Sequence, residues 1–245
     1  MPLIKPIRKK TQRFIRGTRQ YVARKSPQPV KKYLGPVFDY FDMLFFDHGI
    51  FRAIYFNKHK IADGVFRSSQ PAPHQIRKLA RKGIKTIINL RGPRECGSYR
   101  LEERHCERNG IKLINFVMYS RAAPCPAMIR EAEQLFKDVE YPILMHCKSG
   151  ADRAGLASVL HMFLHQNTPI EKAQKQLSLR FGHIRQADTG VLDYFFDLYI
   201  EAKQKSGISF YDWLETEYQP DKVKSDFRAT NGFLNAIVNK VLRRE

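Results

Sequence analysis

The chain has 245 residues, of which 43% are hydrophobic, which is enough for one sizeable domain with an appendage. Its 43 Lys and Arg against 24 Asp and Glu give a net charge of +19, which favours anionic partners such as phosphorylated substrates, acidic lipid surfaces or nucleic acid. No apolar run is long enough for a transmembrane helix, and the four cysteines have neither zinc-site nor disulfide-framework spacing, so a reduced, cytoplasmic setting is expected.

The first segment, residues 1–56, is basic and then aromatic. Residues 1–33 contain eleven Lys or Arg, no Asp or Glu, and apolar residues at loosely helical spacing. Residues 37–56 are rich in aromatic side chains, three of which share one helical face: Phe38, Phe41 and Phe45. Three aspartates interrupt the same stretch: Asp39, Asp42 and Asp47.

Three interpretations of this basic extension stay open. Residues 1–33 are compatible with an anionic membrane surface as partner, with 37–56 at the interface. They are also compatible with nucleic acid bound through phosphate charge alone, or with a solvated arm. The aspartates favour packing of 37–56 on the following domain, and specific nucleic-acid recognition is not expected.

Short apolar runs alternate with helical patterns from residue 57 to residue 220. "VFRS" (65–68) predicts a strand edge, and three core strands are predicted at 84–90, 111–116 and 141–147. Helices are predicted at 73–83, 99–110, 126–140, 154–166, 169–180, 189–205 and 209–217. This alternation indicates an α/β fold: a three-layer α/β/α domain with a mostly parallel central sheet, preceded by a basic N-terminal helical extension (1–56) and followed by a helical tail (221–245).

The stretch "MHCKSGADRAG" (145–155) follows a predicted buried strand and opens a predicted helix. A helix N-terminus presents unpaired backbone N–H groups and the positive end of the helix dipole, which together bind phosphate. Gly150 allows the backbone to curl around an anion, Gly155 allows the helix to pack closely on the sheet, and the Arg153 guanidinium matches two phosphate oxygens. The same groups stabilise a thiolate at Cys147, in position to attack phosphorus.

The residues "HCKSGADR" (146–153) fill every fixed position of H-C-x-x-G-x-x-R, and the chain resembles the cysteine-dependent protein tyrosine and dual-specificity phosphatases. "GVFRSSQP" (64–71) and "IKTIINLR" (84–91) are similar to the opening of the compact, atypical dual-specificity subgroup, which includes bacterial members. The resemblance covers roughly residues 60–200. Two alternatives for Cys147 are a structural core cysteine and the cysteine of a rhodanese-like sulfur carrier. The His before the cysteine and the loop Arg disfavour the second alternative.

The resemblance implies a phosphocysteine intermediate, with Cys147 as nucleophile, Arg153 and the loop backbone as phosphoryl ligands, and no metal or organic cofactor. His146 is expected behind the loop, where its ring fixes the loop geometry. The full set of expected substrate-binding residues is His146, Lys148, Ser149, Gly150, Ala151 and Arg121.

The chain departs from the family pattern at two places. Ala154 stands where the family usually has a Ser or Thr whose hydroxyl helps the sulfur leave. Residues 117–126, where the family usually supplies an Asp as general acid, contain no Asp or Glu. Asp152 is the nearest substitute and is predicted to be the catalytic acid, against the alternative that it only caps the helix. Glu95 and Asp63 are remoter candidates.

The expected substrates are phosphotyrosine-type proteins or phosphorylated lipids and inositols. The positive charges of Lys148 and Arg121 favour phosphorylated lipids and inositols. The alternative is a catalytically weak phosphate-binding module at an anionic surface. A cytoplasmic location, peripheral at the inner membrane surface through residues 1–33, is the expectation. "GHIRQADTG" (182–190) is predicted to be an interhelical turn, against the alternative that it places His183, Arg185 or Gln186 over the pocket. Cys125 is predicted to be an ordinary loop residue rather than a redox partner of Cys147.

Overall fold

The structure, a computed structural model, describes residues 4–25, 27–47 and 49–228. Its centre is a five-stranded sheet in the order β1-β2-β5-β3-β4. The strands are β1 His59–Ala62, β2 Val65–Ser69, β3 Thr86–Asn89, β4 Lys112–Asn115 and β5 Ile143–Cys147. Every neighbouring pair is parallel except β1 and β2, which form an antiparallel hairpin. The mostly parallel sheet expected from the sequence is therefore confirmed.

The helices cover both faces of this sheet. They are α1 Ile4–Lys25, α2 Gln28–Phe41, α3 Gly49–Ile54, α4 Pro73–Arg81, α5 Gly97–Arg108, α6 Pro126–Asp138, α7 Asp152–Leu160, α8 Ile170–Ala173, α9 Val191–Ser206 and α10 Phe210–Thr216. A π-helical turn continues α2 through Asp42–Phe46 and another continues α7 through His161–His165. Residues 220–228 are also helical, and the rest of the predicted tail lies outside the described residues.

Alternation along the strands separates two hydrophobic clusters. Ile87 of β3 and Leu144 of β5 pack on one face with Ile76 and Leu79 of α4. Their strand neighbours point the other way, into a larger cluster with α6, α7, α9 and α10. Because successive strand residues face opposite sides, one short sheet carries two cores, which is the expected α/β/α layering.

The strand edge predicted at "VFRS" agrees with β2, but the prediction lacked β1 and was wrong in that respect. β2 lies between β1 and β5, because β1, which the sequence reading missed, pairs with its outer side. β1 has a mostly half-buried pattern with polar residues, so its apolar signal is weak.

The single helix predicted over 169–180 is also wrong. The chain there forms α8, a 3₁₀ turn at Gln174–Gln176 and a second at Leu179–Phe181. Arg67 donates a hydrogen bond to the backbone carbonyl of Gln176 at 2.6 Å. This tertiary contact takes a carbonyl that a continuous helix would use for its own ladder.

Buried aspartates dock α2 on α5. Asp39 is fully buried and accepts hydrogen bonds from Arg19 of α1 at 2.6 Å and Arg100 of α5 at 2.8 Å. Asp42 accepts from the backbone N–H of Gly97 at the start of α5, at 2.6 Å. Unpaired buried carboxylates would be very costly, so these contacts specify how the extension sits on the sheet domain.

The aromatic face shared by Phe41 and Phe45 does not make this contact. Their exposed fractions are 43% and 54%, because the opposite side of the helix, which carries the aspartates, faces the domain.

Candidate active site

The segment between β5 and α7 lies at the carboxyl end of the three central parallel strands. Cys147 is the last residue of β5 and pairs in register with Ser69, the last residue of β2. We call residues 147–153 the anion loop. Open α/β sheets bind ligands at this edge of the sheet. The Cys147 side chain is only 2% exposed, so its sulfur lies at the bottom of the loop rather than on the surface.

Two glycines allow the anion loop its shape. Gly150 has a φ of +77°, and a Cβ there would lie 2.6 Å from backbone atoms of Ser68 and Ser69. A Cβ on Gly155 would lie 2.7 Å from Leu177 and 3.4 Å from the Arg67 guanidinium. The loop therefore packs directly against β2 at Gly150, whereas the close approach at Gly155 is mainly to the segment at Gln176 and Leu177 rather than to the sheet.

Arg67 of β2, which the sequence analysis did not select, holds the back of the anion loop. The fully buried guanidinium donates to the carbonyls of Gly150 at 2.7 Å and Ala151 at 2.8 Å. Because these carbonyls point towards Arg67, the N–H groups of the same peptide units point to the opposite side of the loop. The available signal was an arginine inside the apolar strand "VFRSS", a position where a charge needs several partners.

Burial lowers the pKa of Arg67 to about 10, although the nearby charges of Cys147 and Asp152 oppose this shift. The guanidinium is therefore still charged at neutral pH and places a positive charge beside the sulfur.

The groups that face the inside of the loop lack partners. Within the described ranges, the N–H groups of Ser149, Gly150 and Asp152 have no acceptor, and that of Ala151 makes only a 3.4 Å contact with the Ser149 hydroxyl. The half-buried Arg153 guanidinium has no hydrogen-bond or ion-pair partner in the same part of the chain. Convergent, unused donors of this kind suit an anion with several oxygens.

His146 lies behind the loop and is fully buried. Its Nε2 is 2.6 Å from Oε1 of Glu102, a buried carboxylate of α5 whose other oxygen accepts from Gln70 at 2.7 Å. The position agrees with the expected role in loop geometry. Glu102 was missed because it is one of several glutamates in a charged helical pattern, and only the fold brings it to the loop.

Asp152 does not stand alone at the start of α7. Its Oδ1 lies 2.8 Å from Nδ1 of His183, whose Nε2 lies 2.6 Å from Oδ2 of Asp193. Burial alone would lower the pKa of His183, but the hydrogen bonds to the two carboxylates raise it to about 9. At neutral pH the imidazole is therefore protonated, and the pair of Asp152 and His183 carries a proton beside the anion loop.

Positive side chains surround the mouth of the loop. Lys148 is partly buried, with its Nζ 4.0 Å from Oδ1 of Asp47. Arg91 makes a bidentate pair with the same aspartate, at 2.9 and 3.1 Å. The pKa of Arg94 is lowered by burial and then by the charges of Arg91 and Arg153, which places all three cations near one another. Asp47, Arg91 and Arg94 were not among the residues selected from the sequence.

The remaining sequence-predicted residues are exposed. Arg121 and Cys125 are exposed in the segment between β4 and α6. Glu95 has a 94% exposed side chain beside Arg100. Asp63 is fully exposed at the amino end of β2, opposite the end that carries the anion loop. Asp63 is therefore not placed to donate a proton at Cys147.

No group of three or more His, Cys, Asp or Glu side chains is arranged to hold a metal ion within the described ranges. No helix in those ranges is long and apolar enough to cross a bilayer.

Comparison with known proteins places these features in a family. The sequence model described as "DSP-PTPase phosphatase fused to NAD+ Kinase" matches residues 55–190, more than half of the chain. Inositol diphosphatase DSP3 of Arabidopsis thaliana is 30% identical over 151 residues, covering 57% of this chain and 70% of the relative. Inositol diphosphatase DSP4 of the same plant is 32% identical over 102 residues, covering 39% of this chain and 49% of the relative.

Two solved structures show weaker similarity. P. aeruginosa TpbA has a TM-score of 0.47 at 16% identity, covering 65% of this chain and 88% of that one. The core catalytic domain of the PP-IP phosphatase SIW14 from S. cerevisiae has a TM-score of 0.46 at 21% identity, covering 62% of this chain and 94% of that one. The family match over residues 55–190, which contains the whole anion loop, decides the assignment: the chain belongs to the DSP-PTPase family of cysteine-dependent phosphatases.

Proposed function

We propose that the chain hydrolyses phosphomonoesters through a phosphocysteine on Cys147, with phosphorylated inositol head groups, free or lipid-linked, as its substrates. The observation that carries the reaction is the anion loop itself. A cysteine lies beneath unused N–H donors and the Arg153 guanidinium, while Arg67 fixes the loop from behind.

In the first step the Cys147 thiolate attacks phosphorus, the S–P bond forms, and the bond from phosphorus to the leaving oxygen breaks. The loop N–H groups and Arg153 stabilise the charge on the three non-bridging oxygens. His183 transfers its Nδ1 proton to Asp152 across 2.8 Å, and Asp152 passes it to the leaving oxygen, which leaves the imidazole neutral. In the second step water attacks phosphorus and returns a proton to His183 through Asp152, the S–P bond breaks, and the thiolate and inorganic phosphate are released.

The substrate class is supported by charge. Lys148 and Arg94 add cations beside the anion loop beyond what one phosphate needs, whereas Arg91 is buried and paired with Asp47. The two Arabidopsis relatives are named as inositol diphosphatases, and the class is carried over to this chain from those names. A phosphotyrosine-type protein is the competing substrate within the same chemistry.

The test of the reaction is rapid-quench mass spectrometry with an aryl phosphate, whose good leaving group needs little acid help. A phosphate adduct on Cys147 is expected, and Cys147→Ser should lose both the adduct and all turnover. Cys125→Ser removes an exposed free cysteine instead and should keep both. Full turnover by Cys147→Ser, or an adduct elsewhere, would contradict the mechanism.

The substrate test compares kcat/KM for a soluble inositol monophosphate ester, a phosphoinositide in mixed micelles and a phosphotyrosine peptide. Preference for either inositol compound supports the proposal, and preference for the peptide overturns this part of it.

A second candidate is a phosphate-binding module with weak turnover, which buried Ala154 favours because no hydroxyl is present there to assist departure of the sulfur. Tight phosphate binding together with a stable, unhydrolysed adduct would support this candidate.

A further inference from the structure

Exposed apolar side chains concentrate in one part of the molecule. Fourteen large hydrophobic side chains are exposed among the described residues, and eleven of them lie between Phe14 and Tyr55. Soluble monomers seldom expose apolar side chains together in this way, and such patches usually mark an interaction surface.

The helix α2 presents an apolar stripe to solvent. The stripe consists of Tyr33, Leu34, Val37, Tyr40, Phe41 and Phe45, which are between 39% and 69% exposed. Their spacing places them on one side of the helix. The opposite side carries Asp39 and Asp42, which are buried against arginines of α1 and α5. The helix therefore buries its carboxylates and exposes its apolar side, the reverse of an ordinary surface helix.

The outward face of α1 adds positive charge to this stripe. Nine of the 22 residues of α1 are Lys or Arg and none is acidic. Phe14 and Tyr21, two turns apart, are 73% and 67% exposed. Exposed cations surround them: Lys10, Arg13, Arg24 and Lys25. Arg16 and Arg19 lie on the other side, where they pair with Asp42 and Asp39.

We propose that the α1–α2 surface, formed by these outward faces, binds anionic lipid bilayers. Basic helices with exposed aromatic and aliphatic residues lie in the headgroup region, where burial of the apolar face and attraction to anionic lipid act together. A surface position suits a chain in whose described part no helix can span the bilayer. The inference does not depend on the reaction at Cys147.

Other occupants fit this surface less well. Nucleic acid would pair its phosphates with the cations and stack its bases on the aromatic rings. It would make no favourable contact with the aliphatic Leu34 and Val37. A second copy of the chain would bring two strongly basic α1 faces together, and like charges oppose that contact. An anionic bilayer satisfies both the charge and the apolar stripe.

The experiment measures co-sedimentation of the full chain with vesicles of phosphatidylcholine alone or mixed equally with phosphatidylglycerol. Binding to the anionic vesicles is expected, and it should weaken with salt. The double substitution Arg13→Gln with Arg24→Gln should weaken the affinity for anionic vesicles about 30-fold, since each cation near an anionic surface contributes about five-fold. Val37→Gln with Phe45→Gln should weaken it at least about 10-fold.

Matched controls use exposed residues outside the surface. Arg77→Gln with Arg81→Gln removes two exposed cations of α4, and Leu179→Gln removes a 74% exposed apolar side chain. Both should bind vesicles as the unchanged chain does, and all variants should keep aryl phosphate turnover and thermal stability.

Several outcomes would overturn the proposal. These are equal binding to both vesicle types, equal losses in the control variants, and vesicle binding that survives both α1–α2 substitutions. Loss of RNA binding or of self-association in the α1–α2 variants, without loss of vesicle binding, would assign the surface to those partners instead.

Discussion

Asp152 Oδ1 lies 2.8 Å from His183 Nδ1, so a residue of the anion loop is joined to the turn before α9. The contact keeps the carboxylate beside a protonated imidazole, whose second nitrogen is held by Asp193. Asp152 is thereby oriented by a neighbouring proton donor. The first two predictions depend on this relationship.

Asp152→Asn should lower turnover of alkyl phosphates by about 100-fold and of aryl phosphates by only a few fold, since acid catalysis matters most for poor leaving groups. Steady-state kinetics with both substrate types measures the difference. Asp197→Asn, which alters a partner of Arg185 and Gln174 in α9, is the control and should affect neither substrate. Equal falls on both substrates would mean that Asp152 does not donate the proton.

His183 should make the free energy of unfolding depend on pH. Its pKa is raised from 6.5 to about 9 in the folded chain, so its contribution is fully present below pH 6.5 and is lost as pH rises through 9. The loss should reach up to about 3 kcal/mol at one unit of pKa per 1.36 kcal/mol. Urea unfolding across this range measures it, and His183→Gln should remove this component of the pH dependence. An unchanged slope in that variant would contradict the assignment.

Gly150→Ala should abolish turnover and destabilise the fold by at least about 3 kcal/mol, because the new Cβ would meet the backbone of β2. Gly110→Ala is the matched control. Gly110 also has a positive φ, +65°, but nothing lies within 4 Å of a Cβ there. Gly110→Ala should lower the free energy of unfolding only by the backbone strain, about 1 kcal/mol, and should retain activity. Similar results for the two variants would show that the close approach to β2 is unimportant. Urea unfolding and aryl phosphate turnover measure both effects.

Arg67→Lys should retain a positive charge but lose the fork that binds the Gly150 and Ala151 carbonyls. We expect a fall of about 3 kcal/mol in the free energy of unfolding and a lower kcat. Arg77→Lys, at an exposed position of α4, is the control and should change neither quantity. A stable Arg67→Lys variant with full kcat would rule out the anchoring role. Chemical unfolding and steady-state kinetics test it.

Ala154→Ser should speed hydrolysis of the phosphocysteine, because a hydroxyl would then be available to donate to the departing sulfur. Rapid-quench kinetics should show less accumulated adduct and a higher kcat where hydrolysis limits turnover. Ala157→Ser, equally buried in α7 but further from the loop, should leave both unchanged. An unchanged adduct lifetime in Ala154→Ser would contradict the role that the resemblance implies for a hydroxyl at this position.

The anion loop was predictable from the sequence because its parts are adjacent in the chain. The strand end at Cys147, the glycine that needs positive φ and the arginine at 153 all lie within a few residues, and short-range geometry relates them. The core strands β3, β4 and β5 were equally predictable from the sequence, since their apolar runs are bounded by glycines or prolines.

The supports of the loop come from distant parts of the chain. Arg67, Glu102 and His183 belong to β2, α5 and the turn before α9, and a residue in such a place has no local signal of its partner. The apolar stripe of α2 is similar. Its spacing was visible, but which side faces solvent was decided by the pairing of Asp39 and Asp42 with arginines.

The sequence by itself therefore determined the layer order of helices and strands and the chemistry of the anion loop, because both depend on near neighbours along the chain. Only the tertiary structure decided which buried charges hold that loop, which carboxylate shares a proton with His183, and which side of the extension is left in contact with water. These depend on long-range pairing of charges, since a charge is stable in the interior only where the fold brings it a partner.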